Sequence, residues 1–453
     1  MMRLGRITVL AVLAVGFAAC TKDNSNYCGN AADAGFNCLA ADAAAHAEHP
    51  APDAGDASHG DALGDADANG DVVDAAMDLV IEKPMCTLEG CPDENPICDV
   101  DAGVCGPCAT NAECKAHDST TPTCDLADHR CYECVANADC TTDSTKPICT
   151  NHACGRCVLD SDCKAAPFIC MEDGSCLAAG DAVFATVGAA QCPGDGSAAT
   201  PFCAAQAAVN SAVAGGKRAV LLMGPGPFPV FSMNAPGKML AVIAPDRGAL
   251  VPGTDNVSGN DQVGVLLQKG ELLVRGLEIK NGRTAAVDAE DGTIRIRGCF
   301  IHDNKGPGLF VANASFDVEN SVFASNGSST KANVDLESTN PSPKIFRNNT
   351  VISVPTTLNG VVCAGAFALA GSIISGTQPA VGPGCVFNDT CAKDCSTATS
   401  LNLNPATYEL TSTSPAACID AIDPSTAPPL DRLGTPRPKG AKSDCGADEF
   451  SAQ

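Results

Sequence analysis

The chain has 453 residues, more than one ordinary domain holds, with 53 acidic against 28 basic residues and a formal net charge of −25. That balance excludes a nucleic-acid binder, which needs a basic face to release counterions from phosphate. Gly (43), Pro (30) and Cys (28) are abundant and Trp is absent, which excludes an ordinary helical bundle, and so many cysteines point to an oxidising compartment.

Arg3 and Arg6 make a basic start, and Ile7 to Phe17 is apolar. Phe17-Ala18-Ala19 then places small residues before Cys20. Residues 1–20 therefore read as a secretory signal, too short to span a bilayer. The stretch resembles a bacterial lipobox, with Phe17 where Leu is more usual, and the resemblance implies that Cys20 is lipidated and anchors the chain to a membrane. Thr21 follows it instead of Asp, which implies export to an outer membrane or cell surface.

Residues 21–84 read as a tether. From Ala31 to Glu82 there are 12 acidic residues and no Lys or Arg, with almost nothing bulky and apolar before Val72. Such a stretch cannot bury enough surface to offset its ordering entropy, so a disordered, extended linker is expected. Within it, Asp65, Asp67, Asn69 and Gly70 match the first positions of a calcium loop. Ala76 stands where the bidentate carboxylate belongs, and no amphipathic helices flank the loop, so no metal site and no cofactor are expected.

Residues 85–178 carry 16 cysteines in four units: Cys86, Cys91, Cys98, Cys105; Cys108, Cys114, Cys124, Cys131; Cys134, Cys140, Cys149, Cys154; and Cys157, Cys163, Cys170, Cys176. The units repeat with two-residue gaps, and their interiors are Asp, Ala, Thr and Pro. A unit without a core needs staples, so eight disulfides are expected, with connectivity left open. The phrases Asn111-Ala112-Glu113-Cys114, Asn137-Ala138-Asp139-Cys140 and Asp160-Ser161-Asp162-Cys163 resemble cysteine-rich repeats of large secreted myxobacterial proteins, which implies a spacer or interaction module.

Residues 179–453 repeat every 22 residues or so. Short alternating apolar stretches flank Gly276, Gly298, Asn320, Asn348 and Gly371, spaced 22, 22, 28 and 23 apart. A second column reads Asn281-Gly282, Asn304 with Gly306, and Asn326-Gly327. Bent period-2 strands with stacked Asn predict an all-β fold, a right-handed parallel β-helix in which Phe310, Phe323 and Phe346 are core.

Asp195-Gly196-Ser197, Pro201-Phe202-Cys203 and a helix over 204–214 closed by Gly215-Gly216 resemble the start of pectate-lyase-like β-helices, the helix covering the open end. Asp431-Arg432-Leu433-Gly434-Thr435-Pro436-Arg437-Pro438 and Asp444-Cys445-Gly446-Ala447-Asp448-Glu449-Phe450 resemble the terminus of choice-of-anchor Q domain proteins, which are surface-attached β-helices, and imply a C-terminal cap. Cys445 departs from that pattern, and Cys418 is its expected partner; Cys192 and Cys203 are also expected to be bridged. Eleven cysteines remain outside Cys20 and the module, so at least one stays unpaired within the chain. Cys299 is the choice, as an inward residue sharing a column with Leu277 and Ser321.

β-Helices of this class include polysaccharide lyases and hydrolases, which need clustered or paired acids with a base or cation in reach. The candidates are Asp288 and Asp291 with Glu290, Asp335 with Glu337, and His302, Arg295, Arg297 and Lys305. Asp288 and Asp335 are candidates for one column. The pattern contains no contiguous dyad or calcium signature, and the aromatic inventory is poor for stacking on sugars. The expected function is non-catalytic display for adhesion to an extracellular polysaccharide or surface protein; the alternative is a polysaccharide-active lyase or glycoside hydrolase.

Overall fold

The computed structural model describes residues 86, 91–92, 95–99, 101–140, 145–188, 194–252, 263–340, 343–353, 359–375, 381–382, 384–387 and 400–450. Cys20, the tether through residue 84 with its Asp65–Asp71 loop, and Cys192 lie outside the described residues. Those described belong to one compact unit, Val80–Gln453.

The second half is a parallel β-helix of three faces. The first face runs through the N-terminal halves of Phe231–Ile243 and Val263–Arg275, then Ala285–Ala289, Leu309–Val311, Val334–Leu336 and Val361–Cys363. The second begins with Ala182–Thr186 and Ala219–Met223 and continues through the C-terminal halves of the two long strands. Thr293–Arg297, Ser315–Glu319, Lys344–Arg347, Phe367–Ala370 and Cys385–Phe387 follow on it. The third is a six-stranded sheet from Ala249–Pro252 to Ile373–Ser375. Side chains alternate across each strand, so Val287, Ile294, Phe316, Phe323, Phe346 and Val351 fill one continuous core.

Between the second and third faces stand Gly276, Gly298, Asn320, Asn348 and Gly371, all with φ between 49° and 74°. The left-handed conformation turns the chain there, and Gly and Asn are the residues that take it most readily. The 28-residue step is absorbed in two parts: the first-face strand rejoins its column 25 residues on (Leu309 to Val334), and the second-face strand 28 on (Phe316 to Lys344).

The Asn column is real but displaced by one residue at its start. Asn281 takes the left-handed corner position shared with Asp303 and Ser325. Gly282 lies in the ladder instead, its N–H donating to Asn304 Oδ1 at 2.6 Å. Asn304 Nδ2 donates to Asn326 Oδ1 (2.7 Å) and Asn326 Nδ2 to Asn333 Oδ1 (2.8 Å). A second ladder climbs from the Cys299 N–H to Ser321 Oγ, from the Ser321 N–H to Asn349 Oδ1, and from the Asn349 N–H to Ser372 Oγ. These contacts satisfy polar groups that the corners would otherwise bury unpaired.

The helix Ala205–Gly215 covers the start of the coil, burying Ala205, Ala208, Val209 and Ala212 in the core and ending at left-handed Gly216. The described C-terminal residues are 400–450. They run as a strap along the corner column: Asn320 Nδ2 donates to the Leu430 carbonyl (2.6 Å), the Gly446 N–H to the Gly371 carbonyl (2.7 Å), and the Ala447 N–H to Thr350 Oγ1 (3.0 Å). A Cβ on Gly298 would stand 3.0 Å from the Arg432 carbonyl, so the corner glycine also makes room for the strap. Arg437–Glu449 (2.8 Å, almost wholly buried) and Arg432–Asp448 (3.0 Å) hold it together.

Each cysteine-rich unit is stapled first-to-third and second-to-fourth: 86–98 and 91–105, 108–124 and 114–131, 134–149 and 140–154, 157–170 and 163–176. The last unit is no free spacer. Its Ile169, Met171 and Leu177 pack on Leu221, Ala241, Ile243 and Leu273, on the outer side of the second face.

Candidate functional site

The candidate residues are spread over all three faces. Asp288 and Asp335 lie on the first, Arg295 and Arg297 on the second, and His302 on the third. Faces of a solenoid point in different directions, so one substrate cannot meet acid, base and cation from this set together. Asp291 sits at an exposed corner, its Oδ1 accepting from the Gly292 N–H at 2.7 Å, and Lys305 is exposed at another. His302 is held between Glu278 (Nε2 to Oε1, 3.1 Å) and Asp303 (Nδ1 to Oδ2, 2.8 Å) and stacks on Phe300.

On the first face the sequence reading holds in one respect and fails in another. Asp288 and Asp335 do share an outward column, with Phe310 paired between them. Phe310 therefore points out, opposite to the buried Leu309 and Val311, because strand alternation overrides its apolar character. Burial, with Glu290 alongside, pushes the Asp288 carboxyl up to about 6, and burial with Glu337 does the same to Asp335. One oxygen of each is buried with no hydrogen-bond partner among the described residues.

A cleft of about 710 Å³ opens where three segments meet: the fourth cysteine-rich unit, the corner column and the strap. Its volume is in the range of small-molecule sites, which favour such junctions. Arg247, Arg275 and Arg297 line it with Asp160, Glu172, Glu319 and Asp431; Leu159, Met171, Leu430 and Leu433 supply apolar wall. Arg297 is spent on Glu172 (3.0 Å), Asp317 (2.6 Å) and Glu319 (3.4 Å). Burial works against its charge, but Glu319, Glu172 and Asp317 more than offset that and raise its pKa. Arg275 donates to the Cys170 carbonyl (2.8 Å) and Asp160 (3.2 Å), and Arg295 reaches Glu172 and Glu271. Arg297 was a candidate catalytic cation; in the structure it clasps the cysteine-rich unit to the coil. The periodic pattern gave no sign of Arg247, which comes from the turn between Phe231–Ile243 and Ala249–Pro252.

Sulfur atoms cluster in each unit, but all of them are consumed in bridges and offer no thiolate to a metal. Cys363 and Cys385 form a further bridge, which spacing did not reveal. Cys203, Cys418 and Cys445 are disulfide-bonded, and the Cys445 N–H donates to the Cys418 carbonyl. Cys299 is the free cysteine of the described residues, wholly buried, its thiol pushed up to about 11 by burial. The bridges mark a protein of an oxidising, extracytoplasmic space. No described helix is long and apolar enough to cross a membrane.

The fold and its bridges define the class: a disulfide-rich extracytoplasmic parallel β-helix. No family model, curated protein or solved structure matches the chain.

Proposed function

We propose that the chain is a bacterial surface lipoprotein of the choice-of-anchor Q kind, held at an outer membrane or cell surface through lipid on Cys20. It displays the β-helix for non-catalytic adhesion to an extracellular polysaccharide or surface protein. The observation that carries the non-catalytic reading is the dispersal of Asp288, Arg297 and His302 over three faces, with Arg297 neutralised by structural acids. Charges scattered over three faces, with no assembled acid–base–cation set among the described residues, suit binding better than turnover.

The acid column supports a second reading, a polysaccharide-active hydrolase. Strands two rungs apart are separated by about 9.6 Å, near the upper end of the carboxyl separation of inverting glycosidases, about 6.5–9.5 Å. Phe310 stands in the intervening rung, where a water and a glycosidic oxygen would have to sit. Incubation with a panel of neutral and acidic polysaccharides separates the two. Retention without new reducing or unsaturated ends supports display; depolymerisation abolished by Asp288→Asn or Asp335→Asn overturns it. Fractionation of cells tests the anchor: the chain should sediment with membranes and Cys20→Ser should release it, whereas equal solubility of the two removes the lipid.

A further inference from the structure

The cleft beneath the strap holds a charge with no acidic partner. Arg275 and Arg297 are paired with acids, but no carboxylate lies within 4.0 Å of the Arg247 guanidinium among the described residues. Its Nη1 donates to the Arg432 carbonyl, the one hydrogen bond its side chain makes there. Asp431 and Asp160, the nearest acids in the cleft, are already engaged. Asp431 accepts from the Leu433, Thr435 and Glu449 N–H groups, and Asp160 from the Cys170 N–H and Arg275.

The backbone around Arg247 is arranged to present it. Arg247 itself has φ of +54°, a left-handed conformation that costs a side-chain-bearing residue about 1–2 kcal/mol. A Cβ on Gly298 or Gly434 would come within 2.9 Å of a guanidinium nitrogen, so the head group packs against two glycines where any side chain would displace it. The residue as a whole is exposed, but its guanidinium is partly covered, and burial together with Arg275 lowers its pKa; Val158 (54% exposed) and Leu433 (49% exposed) form an apolar rim.

We propose that this cleft binds a small amphiphilic carboxylate, its head group on Arg247 and its apolar body along Leu159, Met171 and Leu430. A planar guanidinium matches a carboxylate with two parallel hydrogen bonds. One unpaired arginine among Asp160, Glu172, Glu319 and Asp431 suits a single negative charge and repels a doubly charged anion. Sugars find no Trp or Tyr in the lining on which to stack.

The test is calorimetric titration of the purified full-length chain with dodecanoate below its micellar concentration, beside acetate and dodecanol. Dodecanoate should bind one per chain, with acetate lacking the body and dodecanol lacking the charge each weaker by about tenfold or more. Arg247→Gln should weaken dodecanoate by a similar factor. Because that variant also removes the bond to the strap, Val158→Glu at the exposed rim provides an independent arm, expected to weaken dodecanoate and leave the β signal unchanged. Absence of dodecanoate binding, dodecanol binding as tightly, or unchanged affinity in both variants overturns the site.

Discussion

Nε of Arg297, on the second face of the coil, lies 3.0 Å from Oε1 of Glu172 in the fourth cysteine-rich unit. The same unit places Asp160 against Arg275 and Asp173 against Arg218 (2.6 Å), so three acids of the module meet arginines of the β-helix around the apolar contact of Ile169, Met171 and Leu177. The pairs differ in worth. Arg218–Asp173 is substantially exposed and contributes little, whereas Arg297 is mostly covered and stands among three acids.

Arg297→Ala should therefore destabilise by about 3 kcal/mol, since it strands Asp317 without its cation and leaves Glu319 with Arg347 alone. Arg218→Ala should cost under about 1 kcal/mol. Denaturant unfolding of both variants checks the order, and equal effects would show that docking is apolar alone.

Reduction should act unevenly along the module. Units one to three are held by cystine with little apolar contact of their own, and losing a bridge from a small domain costs about 2–5 kcal/mol. Unit four also has its seat on the coil. Under graded reductant, hydrogen exchange should rise first over residues 86–154 and later over 157–176, while the β-helix keeps its β signal. Peptide mapping of the oxidised chain should recover the first-to-third and second-to-fourth pairs; any other pairing would contradict the described units.

The acid column makes stability depend on pH in an unusual direction. Asp288 and Asp335 titrate near 6 in the folded chain, above the usual value of 3.8, so the native state binds more protons than the unfolded chain between about pH 4 and 6. Their contribution to stability is thus greatest below pH 4 and is lost as pH rises through 6. Asp288→Asn should stabilise by about 1 kcal/mol at pH 7, after allowance for partial exposure, and change little at pH 4. Unfolding curves at both pH values decide it, and an Asn variant that is less stable at pH 7 would mean that the carboxylate has a partner.

Cys299 shares its column with Leu277, Ser321, Asn349 and Ser372, and the two serine hydroxyls donate to the carbonyls of Glu319 and Ala370. Its Sγ already lies 3.5 Å from the equivalent Arg297 carbonyl. Cys299→Ser should therefore be tolerated within about 0.5 kcal/mol, the hydroxyl finding the same acceptor, while Cys299→Ala should lose about 1 kcal/mol by leaving a void. Alkylation should label Cys299 only after unfolding, because the buried thiol is held protonated.

The fold was legible because a solenoid writes its period into the chain. Inward residues and left-handed corners recur every coil, so Gly276, Gly298, Asn320, Asn348 and Gly371 could be aligned by spacing, and Cys299 placed inside by its neighbours in that column. Alternation within short strands was less reliable, as outward Phe310 and corner-bound Asn281 show: in a three-residue strand one step of register exchanges inside for outside.

What the sequence by itself determined was local and periodic: the coil, the corner residues, the stapled units and the odd buried thiol. Only the tertiary structure decided which of those parts touch. The first-to-third bridge pattern was one of several open within each unit, while the docking of Glu172 on Arg297, the strap along the corner and the cleft around Arg247 join residues distant in sequence. Their pairing depends on the shape of the outer surface of the coil, where charges follow no repeat; burial alone imposes the period.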